Sequence, residues 1–233
     1  MGYDYYGFVK MRILALDTST EVCSVALFNQ GQINWRLEYC YRNHSQRLLP
    51  LIQQILIEGE IYLQDLDAVA YSRGAGSLTG LRIGMGVAQG LGIGAELSMI
   101  GVSTLALMAE TSWRIMGTKR VLVALEAKRG LFYWAEYRRD NISWYGKETE
   151  TVLSTLEIRN RISQLTGSWG IAGNCWDKYP DLSIKELDLI KSTTIPIARY
   201  IFPLVMEKLK INHNIHPIKL KDYEKKSSIS ENF

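Results

Sequence analysis

Histidine and cysteine are both scarce in this 233-residue chain, three of each, and their placement removes most side-chain chemistry. Cys23, Cys40 and Cys175 are an odd count at wide spacing, which gives neither a disulfide framework nor a Cys-x-x-Cys metal clip. His44 precedes a helical pattern and reads as a surface or capping residue, while His213 and His216 lie in a polar stretch without a third ligand. No Ser/His/Asp or Cys/His constellation can be assembled from so few histidines, so nucleophilic catalysis is disfavoured. A large excess of positive charge is also missing. The net charge of +3 is too small for the phosphate-driven binding of a strongly basic domain. No run of about eighteen apolar residues goes uninterrupted, and neither end has the order of a signal peptide. A cytoplasmic protein without membrane contact is the expectation.

What is present is a chain 47% hydrophobic, enough for one large or two small cores. Residues 1–10 carry three tyrosines and no periodicity, and Tyr6 stands where a myristoylation signal needs Ser or Thr. They are read as a disordered extension, with folding from Met11. Residues 12–16 form a short apolar strand closed by Asp17-Thr18-Ser19-Thr20. A hairpin follows over 22–28 and 33–39, turning at Asn29-Gln30-Gly31. Apolar spacing predicts a helix over 45–58, a strand over 66–71 and, after a glycine loop, a second helix to Gly94. An edge strand at 100–102 and a helix over 104–116 lead to strands at 120–125 and 131–137, where the pattern restarts. A turn at Asn141-Ile142-Ser143, a helix over 156–165, a strand over 169–172 and a closing helix near 197–209 follow. The division is an amino-terminal lobe over 11–108, a smaller lobe over 109–210 and a mobile tail over 211–233, the closing helix being free to pack back on the first lobe.

Two segments carry the functional reading. Asp17-Thr18-Ser19-Thr20, after a buried strand, can turn amides and hydroxyls toward phosphate, although these are also ordinary turn residues. In the second helix Gly80, Gly84, Ala88 and Gly92 fall four apart and form one ridge of small residues, with Gly86, Gly90 and Gly94 as a second row. Several interior glycines cost a helix on the order of 3 kcal/mol, so close packing, on more than one side, must offset them. The loop Gly74-Ala75-Gly76-Ser77 lacks the Lys-Ser or Lys-Thr of a Walker motif, and Ser77 or Thr79 reads as an N-cap. In the second half Glu126-Ala127-Lys128-Arg129-Gly130 occupies the place of a duplicated phosphate loop, with bulky basic residues instead.

Residues 12–20, the hairpin, His44-Ser45-Gln46-Arg47-Leu48-Leu49-Pro50 and Arg73-Gly74-Ala75-Gly76-Ser77-Leu78-Thr79-Gly80-Leu81-Arg82-Ile83-Gly84 together resemble the TsaB (YeaZ) family. The likeness runs from Met11 to about Trp113 and continues through Tyr133-Trp134-Ala135-Glu136-Tyr137. It implies two lobes of the actin-like, sugar-kinase and heat-shock ATPase superfold, an α/β class. It further implies a non-catalytic partner of the TsaD subunit, which transfers threonylcarbamoyl to the adenosine beside the anticodon of tRNAs reading ANN codons. The two helices of the first lobe would bundle with their counterparts in TsaD, and a TsaE-type ATPase would join. On those helices Leu48, Leu51, Ile52, Ile55, Gly80, Ile83, Gly84, Val87, Ala88 and Leu91 form the expected interface. Asp17, Thr18, Ser19 and Thr20 become a vestigial nucleotide site. No metal and no cofactor are expected, ATP binding is left open, tRNA is reached at most indirectly, and a homodimer through the same helices is compatible. The alternative is a stand-alone ATP-dependent phosphotransferase, ATPase or peptidase of the same superfold. Ala75 and Leu78 replace the family's proline and phenylalanine, Glu126-Ala127-Lys128 replaces Asp-Ala-Arg, Leu131 stands where a glutamate is usual, and Pro217-Ile218-Lys219-Leu220-Lys221 departs from the terminal pattern.

Overall fold

The computed structural model describes residues 11–211 apart from 129, 142, 183–186 and 192–194. The extension 1–10, the tail with His213 and His216, Arg129 and the turn residue Ile142 lie outside the described residues.

Strand alternation sets the plan of the first lobe. β1 (Arg12–Asp17) turns Leu14 and Leu16 to one side of the sheet and Ile13 and Ala15 to the other, so both faces need cover. β2 (Val22–Asn29) and β3 (Gln32–Tyr39) follow antiparallel, joined through Gln30 and Gly31, both at positive φ. α1 (His44–Glu58) lays Leu48, Leu51, Ile52 and Ile55 over Leu14, Leu16 and Val25. β4 (Ala68–Ser72), α2 (Leu78–Gly94) and β5 (Ser98–Val102) complete a sheet of order β3-β2-β1-β4-β5, in which β1, β4 and β5 run parallel.

The same order then recurs. β6 (Arg120–Lys128) pairs antiparallel with β7 (Leu131–Arg139), which carries β8 (Trp144–Tyr145) and β9 (Thr151–Ser154) on its far side. After α4 (Thr155–Ile162), β10 (Ser168–Ala172) joins β6 in parallel, and after α5 (Cys175–Lys178), β11 (Asp188–Lys191) joins β10. Two mixed sheets of one topology, each with its helices, make the paired lobes of the actin-like ATPase superfold.

α3 (Thr104–Met116) lies between the lobes. Leu107 packs with the first sheet, while Leu105, Met108 and Ala109 pack on Val121, Val123 and Ala135 of the second, so the division expected at 108/109 falls inside this helix. α6 (Ile201–Ile211) covers the first sheet's other face, with Phe202 and Val205 among Ile13, Ala15 and Phe28, and rings Phe28 and Phe202 5.6 Å apart. It begins four residues later than apolar spacing indicates, after a 3-10 turn at Ala198–Tyr200, and Pro203 falls in its first turn, where no intrahelical donor is needed. α4 stops at Ile162, three residues early. Leu165 still packs on the second-lobe core, which is why the apolar spacing runs past the helix end.

Candidate functional site

The start of α2 is laid against the turn that follows β1. Ser77 N–H donates to the Ser19 carbonyl at 2.7 Å, and Thr18 Oγ1 donates to the Gly80 carbonyl at 2.7 Å. A methyl group at Gly76, Gly80 or Gly84 would collide with the Ser19 carbonyl oxygen, the Thr18 carbonyl oxygen or Thr18 Oγ1 respectively, and one at Gly92 would stand 3.0 Å from the Met99 sulfur. The ridge Gly80, Gly84, Ala88 and Gly92 is therefore consumed inside the chain.

This corrects the expected exposure of the interface residues. Leu48, Leu51, Ile52, Ile55, Gly80, Gly84 and Ala88 are buried, and Ile83, Val87 and Leu91 are half-buried against the same core. The physical reason is economy of apolar surface: a five-stranded sheet needs one stripe from each covering helix, and these are the stripes it takes. His44 is corrected too, being buried with Nε2 2.8 Å from the Thr20 carbonyl.

The second glycine row faces the other way. A methyl group at Gly86, Gly90 or Gly94 would meet nothing within 4 Å among the described residues. Leu78, Met85 and Ile93 form the neighbouring exposed stripe of α2, and the adjoining α1 exposes Leu49 and Ile57. Leu78, Ile93, Leu49 and Ile57 are each more than half exposed, which is unusual for aliphatic side chains on two touching helices.

Beside the β1 turn a cleft of about 610 Å³ opens between the lobes. The structure gathers Asp17, Thr18, Ser19 and Thr20 at this turn but brings only Ser19 and Thr20 to the cleft wall. Asp17 is fully buried, accepting Ser19 N–H at 3.3 Å and Ser19 Oγ at 2.8 Å. Burial pushes its carboxyl above the usual range, and the serine hydrogen bonds only partly offset this. Two amides at the start of α2 are spent as well: Ser77 N–H on Ser19, and Gly80 N–H on Ser77 Oγ at 3.4 Å, the N-cap role expected of Ser77. Across the cleft Glu126 accepts Lys178 Nζ and Tyr179 Oη, each at 2.5 Å, and these hold its carboxyl below the usual range.

Sequence reasoning missed Tyr41 and Arg42, which line the cleft mouth. They belong to a loop without periodicity, and their left-handed φ values of 34° and 82° have no signature in residues of that type. Among the described residues no three His, Cys, Asp or Glu side chains are grouped to hold a metal ion, and no helix is long and apolar enough to cross a membrane. All three cysteines are buried free thiols, and burial pushes Cys175 up to about 12.

Comparison with known proteins gives a consistent answer. A family model described as TsaD, tRNA N6-adenosine threonylcarbamoyltransferase, matches residues 38–158. The tRNA threonylcarbamoyladenosine biosynthesis protein TsaB of Escherichia coli (strain K12) is 50% identical, over 84% of this chain and 87% of its own length. The TsaB of Buchnera aphidicola subsp. Schizaphis graminum is 36% identical, over 84% of this chain and 93% of its own. The solved structure of YeaZ from Pseudomonas aeruginosa superposes with a TM-score of 0.77 at 31% identity, covering 89% of this chain and 96% of that one.

Proposed function

The chain belongs to the TsaB family, and on that premise we propose that it serves tRNA threonylcarbamoyladenosine biosynthesis as a non-catalytic subunit that docks a TsaD-type catalytic subunit. The observation that carries this reading is the outward glycine row of α2, open at Gly86, Gly90 and Gly94 and flanked by exposed Leu78, Met85, Ile93, Leu49 and Ile57. Over bare glycine a second helix can approach backbone to backbone, and the flanking aliphatic side chains then lose their water. Arg82 and Gln89, exposed on the same face, would fix its register. On this reading the docking surface is built on the second glycine row rather than on the Gly80, Gly84 and Ala88 ridge.

A TsaE-type ATPase is the further partner, and tRNA is reached through the assembly, since a net charge of +3 gives this chain little grip of its own. Self-pairing through the same face is the resting alternative and would compete with the TsaD-type partner. The test is reconstitution from a TsaD-type subunit, a TsaE-type ATPase and unmodified tRNA, with and without this chain. Threonylcarbamoylation should fall to background when the chain is omitted; modification at full rate without it would sink the proposal.

A further inference from the structure

Docking through α1 and α2 leaves the interlobe cleft unused, and its mouth is built rather than incidental. Tyr41 is 73% exposed, and its ring is stacked on Tyr39 at 5.9 Å and 21°. Tyr41 and Arg42 hold left-handed backbone that bulky residues avoid, and the loop is pinned there from both sides. Cys40 N–H donates to the Glu21 carbonyl at 2.8 Å, Asn43 N–H to the Cys40 carbonyl at 2.6 Å, and the His44 ring meets the Thr20 carbonyl at 2.8 Å. The result is a preset aromatic platform extending a two-ring stack, ready for a third flat ring.

The walls select what that ring can carry. Arg42 is the cation that lines the cleft, against the carboxylates of Glu21 and Glu126, the latter already engaged by Lys178. Among the described residues that line the cleft there is no surplus of positive charge to face a polyphosphate, and the amides of Ser77 and Gly80 are spent. Hydroxyl recognition is better served. Glu126 is an acceptor on the far wall, and Asn174 is held beside it through its Oδ1, 3.4 Å from Glu126 N–H. Thr20, a cleft-lining residue more than nine-tenths buried, has an Oγ1 with no hydrogen-bond partner among the described residues.

We propose that the cleft binds an uncharged nucleoside, its base stacked on the open face of Tyr41 and its ribose hydroxyls directed to Glu126 and Asn174. A nucleoside triphosphate is disfavoured by the same walls. This site is separate from the docking face, so the two ideas fail independently.

The full chain, without partners, would be titrated with adenosine, cytidine, ribose, AMP and Mg-ATP, followed by calorimetry and by saturation-transfer NMR. Adenosine should bind at millimolar concentration or better and more tightly than cytidine, ribose should not bind, and Mg-ATP should bind more weakly than adenosine. Tyr41→Ala, at an exposed ring whose loss spares the core, should weaken adenosine about tenfold. Glu21→Gln should strengthen AMP severalfold relative to adenosine, because a like charge is removed. Failure of adenosine to bind, tighter binding of Mg-ATP than of adenosine, or a Tyr41→Ala variant with unaltered affinity would overturn the assignment.

Discussion

Along α2 the glycines of two rows are indistinguishable as residues, yet they meet opposite surroundings. Gly80 and Gly84 press on the Thr18 backbone and side chain, and Gly92 on Met99, so the sheet and the β1 turn repay their helix cost inside the molecule. A methyl group on Gly86, Gly90 or Gly94 would meet nothing within 4 Å among the described residues. Each of these still weakens the helix by about 0.5–1 kcal/mol relative to alanine, and no close packing among the described residues offsets it. The difference separates a device for folding from a device for association, and substitution can test it row by row.

The largest effect is expected at Gly80. A methyl group there meets the Thr18 carbonyl, backbone against backbone, with no flexible side chain to yield. Gly80→Ala should cost about 3 kcal/mol or more. At about 2–4 °C per kcal/mol that lowers Tm by about 6–12 °C in a calorimetric melt. Gly86→Ala should move the other way, by about 0.5–1 kcal/mol. Equal melting of the two variants would erase the distinction between the rows.

Next in size is the effect on association. Gly90→Leu should leave the fold intact and weaken binding to a TsaD-type subunit at least tenfold, about 1.4 kcal/mol, by calorimetry or size exclusion. Full affinity in that variant would detach the outer row from docking. Gly84→Leu, by contrast, drives a side chain into Thr18 and Leu16 and breaks the fold before it reports on any partner.

Why the rows look alike in sequence explains what was legible. Four-residue spacing reveals a ridge, but Leu, Ile, Met and Val flank both ridges, so the pattern does not say which one meets the sheet. That depends on where the β1 turn lands. The strands of the first lobe, by contrast, are written in their alternation, and the restart of the pattern near Arg120 announces the second lobe. β8, β9, α5 and β11 are two to four residues long, too short to show any period. On α1 the apolar stripe through Leu48, Leu51, Ile52 and Ile55 is the ordinary signal of a core-facing helix, whereas Leu49 and Ile57 look like isolated exceptions until α2 is placed beside them. The Asp17–Thr20 turn is visible as polar residues after a strand; that Asp17 points away from the cleft is a tertiary fact.

That turn supports the inner row, and the smallest expected effect lies there. Asp17 is fully buried, and burial favours its uncharged form, so its carboxyl titrates above its ordinary value in the folded state. A carboxyl raised in this sense stabilises the fold fully below the unfolded-state pKa, and that contribution is lost as pH rises through the folded value. Above the unfolded-state value the buried carboxyl is therefore a burden on the turn. Asp17→Asn keeps the shape and can still meet Ser19 through a reoriented hydroxyl. It should raise Tm at pH 7 by about 2–4 °C, or about 1 kcal/mol, with the gain shrinking toward pH 4. A fall in Tm at pH 7 would mean that the charge itself is needed at the turn. The inner row would then rest on a retained ionic site, and the contrast between a row that serves only folding and a row that serves association would have to be redrawn.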